Sequence, residues 1–277
     1  MLASLWVLTA MAATVTFQAG TGAYGTTHDS YIVGSRSSSD ANFSTEPWLF
    51  ADLSDGDNGG AEVRSLVRFP DVVGPGEGQI RRGSVVTAAT LVFTVDNEGG
   101  ALGIHEVLEP WDVDQVSWVS RGDGPWAAEG AGPPSSSTKA LTELEASTDG
   151  LLSFGVQVAV REWARNPALN HGFVLVPLSS DGADLHSSAS PDEAARPMLV
   201  VEYTPSEGDT GAPDDTGDAV QDDADTDAPD DNTEADASVD GGDGGKDGAG
   251  CDVVGGVAAV GWGMWGLAVG LRRRQRS

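Results

Sequence analysis

The residues of this chain best suited to proton transfer or metal binding are its four histidines, His28, His105, His171 and His186, together with an abundance of carboxylates. The histidines stand in separate segments without an H-E-x-x-H or comparable pairing, and no G-x-S-x-G nucleophile elbow occurs. Glu106, Glu109, Asp112, Asp114 and Glu162 could furnish a carboxylate pair for glycosidic cleavage, yet a solvated acidic face accounts for them equally well. No nucleophile, base and donor set can be named, so the sequence predicts no catalytic residue. Asp52, Asp55 and Asp57, with Asn58, form an oxygen-rich stretch of the kind that takes a structural Ca²⁺, and a plain polar hairpin loop is the competing reading. Binding chemistry of another kind comes from Trp48, Trp111, Trp118, Trp126 and Trp163, because aromatic faces stack on sugar rings. Core packing claims most of them. Trp126, in the Gly/Pro-rich stretch Arg121 to Pro134, and Trp48, beside Pro47, are the two expected to be exposed and to bind. Arg121-Gly122-Asp123 spells a receptor-binding tripeptide, but three-residue matches arise easily by chance.

These residues must be carried by strands. From Thr14 to Thr204, short β-branched and aromatic runs alternate with Gly, Pro, Ser and Asp clusters, which is the pattern of an antiparallel β-sandwich or barrel. Strands are expected over Thr14 to Gln18, Ser30 to Val33, Trp48 to Ala51, Arg64 to Phe69, Val85 to Val95, Leu102 to Val107, Leu152 to Val158, Gly172 to Pro177 and Met198 to Tyr203. One helix is expected, over Val156 to Arg165, with Val156, Val160 and Trp163 on one face and Pro167 ending it. The fold class is all-β, expected as a two-sheet, jelly-roll-like antiparallel sandwich.

Several words in this region occur in a recognisable order: His28-Asp29-Ser30-Tyr31-Ile32, Ser65-Leu66-Val67-Arg68-Phe69, Trp111 through Trp118, Val160-Arg161-Glu162-Trp163 with Asn170-His171-Gly172-Phe173, and Ser187-Ser188 with Arg196-Pro197-Met198-Leu199-Val200-Val201-Glu202-Tyr203. Together they resemble the DNRLRE (disaggregatase-related) domain, also classed as carbohydrate-binding module CBM96. The resemblance implies a jelly-roll module of secreted and cell-surface proteins, often joined to polysaccharide-degrading enzymes or repeated in adhesive proteins. Some members bind acidic polysaccharides. Here the domain holds a single lysine, Lys139, Pro70 replaces the aspartate that often follows the motif phenylalanine, and Ala189 replaces a glutamate.

Charge and the chain ends complete the organisation. The formal net charge is −28, and the stretch from Ser206 to Gly250 holds sixteen acidic residues against one lysine. Acidic surfaces of this kind repel phosphate backbones, so nucleic acid is not an expected partner. Residues 205–250 have almost nothing apolar to bury and are expected to be a disordered acidic linker acting as a stalk. Met1 to Ala13, an apolar run with Ala10 and Ala12 in an A-x-A arrangement, reads as a signal peptide, with a buried first strand as the alternative. Val253 to Leu271 is an uncharged run of 19 residues followed by Arg272, Arg273, Arg274 and Arg276. A transmembrane helix needs about 17–25 apolar residues, and the arginines would keep to the cytoplasmic side. Gly250-Cys251, the apolar span and the arginine cluster resemble C-terminal sorting signals of the MYXO-CTERM type. That resemblance implies processing or lipid attachment at Cys251, and a plain single-span anchor is the alternative. The expectation is thus a non-catalytic, exported surface protein, tethered at its C-terminus, that binds extracellular polysaccharide. Its rivals are a structural or adhesive protein with protein partners and, further off, a polysaccharide-degrading enzyme.

Overall fold

The computed structural model describes residues 11–22, 24–147 and 150–206, all within one compact unit. Most of the signal-type run, nearly all of the acidic linker, Cys251, the Val253 to Leu271 span and Arg272, Arg273, Arg274 and Arg276 lie outside the described residues.

The described chain is mostly β. Eleven strands, β1 (Ala13–Gln18), β2 (His28–Val33), β3 (Trp48–Asp55), β4 (Ala61–Arg68), β5 (Val85–Asn97), β6 (Ala101–Glu106), β7 (Thr142–Glu145), β8 (Gly150–Gly155), β9 (Phe173–Pro177), β10 (Ala183–His186) and β11 (Met198–Thr204), form an antiparallel sheet, and α1 (Gln157–Arg165) is its one α-helix. Along the sheet the order is β1-β11-β5-β10-β3-β4-β9-β6-β7, with β2 paired to β4 and β8 to β5. Among the described residues no helix is long and apolar enough to cross a membrane.

Alternation along the strands decides which side chains are buried. In β4 and β9 both faces are covered. Val67, Phe173 and Leu175 enter the main core with Phe93, Phe154 and Trp163, whereas Leu66 and Val174 join Ile32 in a second cluster. That second cluster is closed by the long connection between β6 and β7, which lays Val107, Trp111, Val116, Trp126 and Ala131 over β2, β4 and β9. Arg64 and Arg68, which flank Leu66 at two-residue spacing and so share its face, fasten this cover. The Arg64 guanidinium donates to the Gly130 carbonyl at 2.8 Å and lies 5.2 Å from the Trp118 ring centroid, and Arg68 sits 5.0 Å from that of Trp111. At Gly130, with φ of 69°, a Cβ would come within 2.7 Å of the Trp118 ring, so a side chain there is opposed by both backbone conformation and space.

Helix α1 buries Ala159, Val160, Trp163 and Ala164, the face expected from its periodicity. The strand expectations held in position, with shifts at the ends. β7 and β10 were not anticipated, and β3 runs on to Asp55, so Asp52 and Asp55 lie in a strand instead of a loop.

Candidate functional site

Two tryptophans were expected to be exposed, and they divide. Trp126 is 5% exposed inside the second cluster, and its indole N–H donates to the Ser117 carbonyl at 2.9 Å, so it is a core residue and not a binding platform. Sheet physics explains the correction. A face of β4 and β9 carrying Leu66 and Val174 must be covered, and the Gly/Pro-rich connection is the segment that covers it. Trp163, expected on the apolar face of the helix, and Trp111, expected to be buried from its motif, are both buried, and Trp118 of the same motif is partly buried.

Trp48 is half-buried and stands on the side of β3 opposite Leu49 and Ala51, which face the main core. Its register partner is His186 of β10, and the two rings lie 4.5 Å apart. Phe50, two residues on and facing the same way, meets Tyr31 edge-on at 5.0 Å, and Tyr31 stacks on Phe43 at 4.2 Å. Trp48, His186, Phe50, Tyr31 and Phe43 are all half-buried and make an aromatic band. Carboxylates border it: the exposed Asp96 is 3.9 Å from the His186 imidazole, and Asp184 is the register partner of Phe50. Burial, with Glu46 and Asp55 adding negative charge, pushes the Tyr31 phenol above its ordinary range, so it stays a neutral donor. Of this band the sequence marks only Trp48 as a binding residue; His186 is noted there as a histidine without a partner motif, and Tyr31 as part of a motif. Tyr31, Phe43, Phe50 and His186 come from four segments, and their meeting depends on strand order.

A loop behind the band holds it in place. Ser187 donates from its amide to the Pro47 carbonyl at 3.1 Å and from its hydroxyl to the Glu46 carbonyl at 2.6 Å, fixing the entry to Trp48. The His186 Nδ1 and Ser190 Oγ are 3.1 Å apart. Ser190, His186 and Asp96 thus line up in the order of a nucleophile, base and orienting acid. However, Ser190 is 1% exposed and its Oγ already accepts from the Asp192 amide at 3.3 Å, which makes it a turn residue closed to substrate.

The other candidates separate. His28 Nδ1 is 2.9 Å from the Arg68 guanidinium, and His105 Nδ1 is 2.7 Å from the Ser137 carbonyl. Burial, then the Arg68 charge, lowers the pKa of both His28 and His171, which favours neutral imidazoles. Glu106 accepts from the Trp163 indole at 3.2 Å, Glu109 from the Ala127 amide at 3.1 Å, and Asp112 from the Asp114 amide at 2.9 Å. Glu162 pairs with Arg165. Arg121 and Asp123 pair with each other at 2.6 Å.

Asp52 accepts from the Ser54 amide at 2.8 Å, and Asp55 accepts from the Asp57 amide at 3.0 Å and the Asn58 side chain at 2.7 Å. The Asp55 bonds cap the turn after β3, and the Asp52 bond lies within the end of the strand. Among the described residues no three His, Cys, Asp or Glu side chains gather as a metal-holding group.

No protein-family model matches the chain, and no curated protein is similar to it.

Proposed function

We propose that the protein is a non-catalytic carbohydrate-binding module of the cell surface, a two-sheet β-sandwich of jelly-roll type that takes sugar rings on the aromatic band around Trp48. The observation that carries this reading is the juxtaposition of Trp48, His186 and Phe50 with Asp96 and Asp184 on the outward side of β3, β10 and β5. Aromatic faces stack on the C–H faces of a sugar, and ionised carboxylates accept its hydroxyls. The flanking charge is negative, so neutral polysaccharides suit the band better than acidic ones. The likeness to the DNRLRE domain supports the same class of ligand. In this reading the acidic linker displays the domain outside the cell, and the Cys251 and Val253 to Leu271 region anchors it to the membrane.

Binding of the full chain to a panel of neutral and acidic polysaccharides, with Trp48→Ala beside it at two salt concentrations, tests the proposal. The expected result is binding to a neutral glycan that changes little with salt and is lost in Trp48→Ala. Absence of binding to every glycan, or binding that Trp48→Ala leaves intact, overturns it.

A second reading, an adhesive surface protein with protein partners, is favoured by two exposed leucines. Leu53 and Leu178 are each 45% exposed, and the Leu53 amide donates to the carbonyl of Ser179 next to Leu178. Charged substitution at both that abolished self-association of the full chain would favour this alternative.

A further inference from the structure

Asp29 is the second residue of β2 and is 2% exposed. A buried carboxylate is expensive unless bonded, and its described hydrogen bonds come from one residue. The Ser188 amide donates to Oδ2 at 2.7 Å and the Ser188 hydroxyl to Oδ1 at 3.1 Å, across 159 positions of sequence. Ser188 belongs to the loop whose neighbouring residues fix the aromatic band. Ser187 holds Glu46 and Pro47, which lead into Trp48, and His186 packs against Trp48 itself with the rings tilted. The next residue of β2, Ser30, accepts from the Phe43 amide at 3.3 Å, and Tyr31 stacks on Phe43. Three consecutive residues of one strand therefore hold both approaches to the band.

We infer that Asp29 is a positioning residue for the aromatic band, and that the protonation of its carboxyl couples the closure of the Ser187–Ser190 loop to pH. The inference rests on the sugar-binding reading only for its effect on affinity. The coupling itself stands on the Asp29 and Ser188 geometry.

The direction follows from burial. With the loop closed, burial pushes the Asp29 carboxyl up to about 7, and the backbone and side-chain hydrogen bonds from Ser188 only partly oppose this. The charged and titratable groups on the surrounding elements include His28 and Tyr31 on β2, Arg64 and Arg68 on β4, Asp184 and His186 on β10, Glu46 and Asp192 on the adjoining segments, and Arg196, which donates to the Ser190 carbonyl at 2.9 Å. His28 and Arg68 bond each other, and Arg64 is turned to Glu62 and Gly130. Tyr31 packs on Phe43 and Phe50, His186 meets Ser190 and Trp48, and Asp192 accepts from the Ala194 amide. Glu46 enters the loop contacts through its carbonyl. The carboxyl is thus more basic in the closed loop than in water, where an aspartate titrates near about 3.9. Closure is strongest below about 3.9, weakens as pH rises from there towards about 7, and changes no further once the carboxyl is ionised in both states.

Hydrogen exchange of the full chain, read by mass spectrometry from pH 4 to 8 and corrected for intrinsic rates, tests this. The peptide holding residues 186–190 is compared with one from the centre of β5. Between about pH 4 and about pH 7 protection of residues 186–190 should fall with rising pH by up to roughly tenfold per unit, the limit for one proton, and then level off, while that of β5 does not fall. In Asp29→Asn, which keeps an acceptor for the Ser188 amide, the fall should vanish. A flat wild-type profile, or an equal fall in Asp29→Asn, overturns the inference. Should that variant not fold, the wild-type profile decides alone. Binding of the same polysaccharide panel, a soluble neutral β-glucan among it, in the same buffers separates the two proposals. Titrating protection without binding of any glycan of the panel at any pH retains Asp29 as the loop's switch and defeats the sugar reading at this band. Glucan binding that Trp48→Ala abolishes, with flat protection, does the reverse.

Discussion

Trp126 and Trp48 show how far the setting of a single side chain alters its role. Trp126→Ala removes an indole from a closed cluster and should cost roughly 3–5 kcal/mol of stability, read from the denaturant midpoint. Trp48→Ala, at a half-buried position, should cost much less and act on binding. Glu106 gives a second residue-scale prediction. It is half-buried beneath Trp163, and burial foremost raises its pKa, with the Trp163 bond opposing and Glu162 adding to the rise. A folded-state pKa above the unfolded value means that stability is lost as pH rises through the folded pKa. Glu106→Gln, which keeps an acceptor for the indole, should therefore gain stability relative to wild type at pH 8 compared with pH 5. Chemical denaturation of both proteins at the two pH values checks it. Trp163 and Trp111 were legible from the sequence because helical periodicity and motif position both mark burial. Trp126 was misplaced because Gly and Pro around it signal a loop, and nothing local says that the loop must cover an apolar sheet face.

At the scale of elements, the cover over β2, β4 and β9 has few backbone ladders of its own and depends on side-chain fastenings. Arg64→Ala removes a charged hydrogen bond to the Gly130 carbonyl and the packing on Trp118, and should lower stability by about 1.5–3 kcal/mol. Limited proteolysis should then cut first between residues 107 and 136. The turn after β3 behaves differently. Its aspartates already cap backbone amides, so adding Ca²⁺ or EDTA should leave the melting temperature unchanged, while Asp55→Ala lowers it by the equivalent of about 1 kcal/mol. Long or strongly alternating strands such as β5 were visible in the sequence. β7, Thr-Glu-Leu-Glu, and β10, Ala-Asp-Leu-His, were not, since each offers one large apolar residue and gains its place by pairing with stronger neighbours. The aromatic band shares that limit. Trp48 could be nominated from its type and neighbours, but its companions are assembled by the β3 and β10 register.

For the molecule as a whole, the acidic balance of the chain bears on what it meets. With ten basic residues against 26 acidic ones ahead of the linker, weak retention on a heparin column at physiological salt is expected, and strong retention would contradict the preference for neutral glycans. One further property comes from the pairing of the first strand with the last. Ala13 lies opposite Tyr203 and Gln18 opposite Met198, so the outer ends of β1 and β11 leave the sheet side by side. A pull that separates those two ends loads the ladder one hydrogen bond at a time, as in opening a zip, instead of shearing all of its bonds together. Under such tension the domain yields from this seam first, and the band around Trp48, on β3 and β10, lies outside the strands that part.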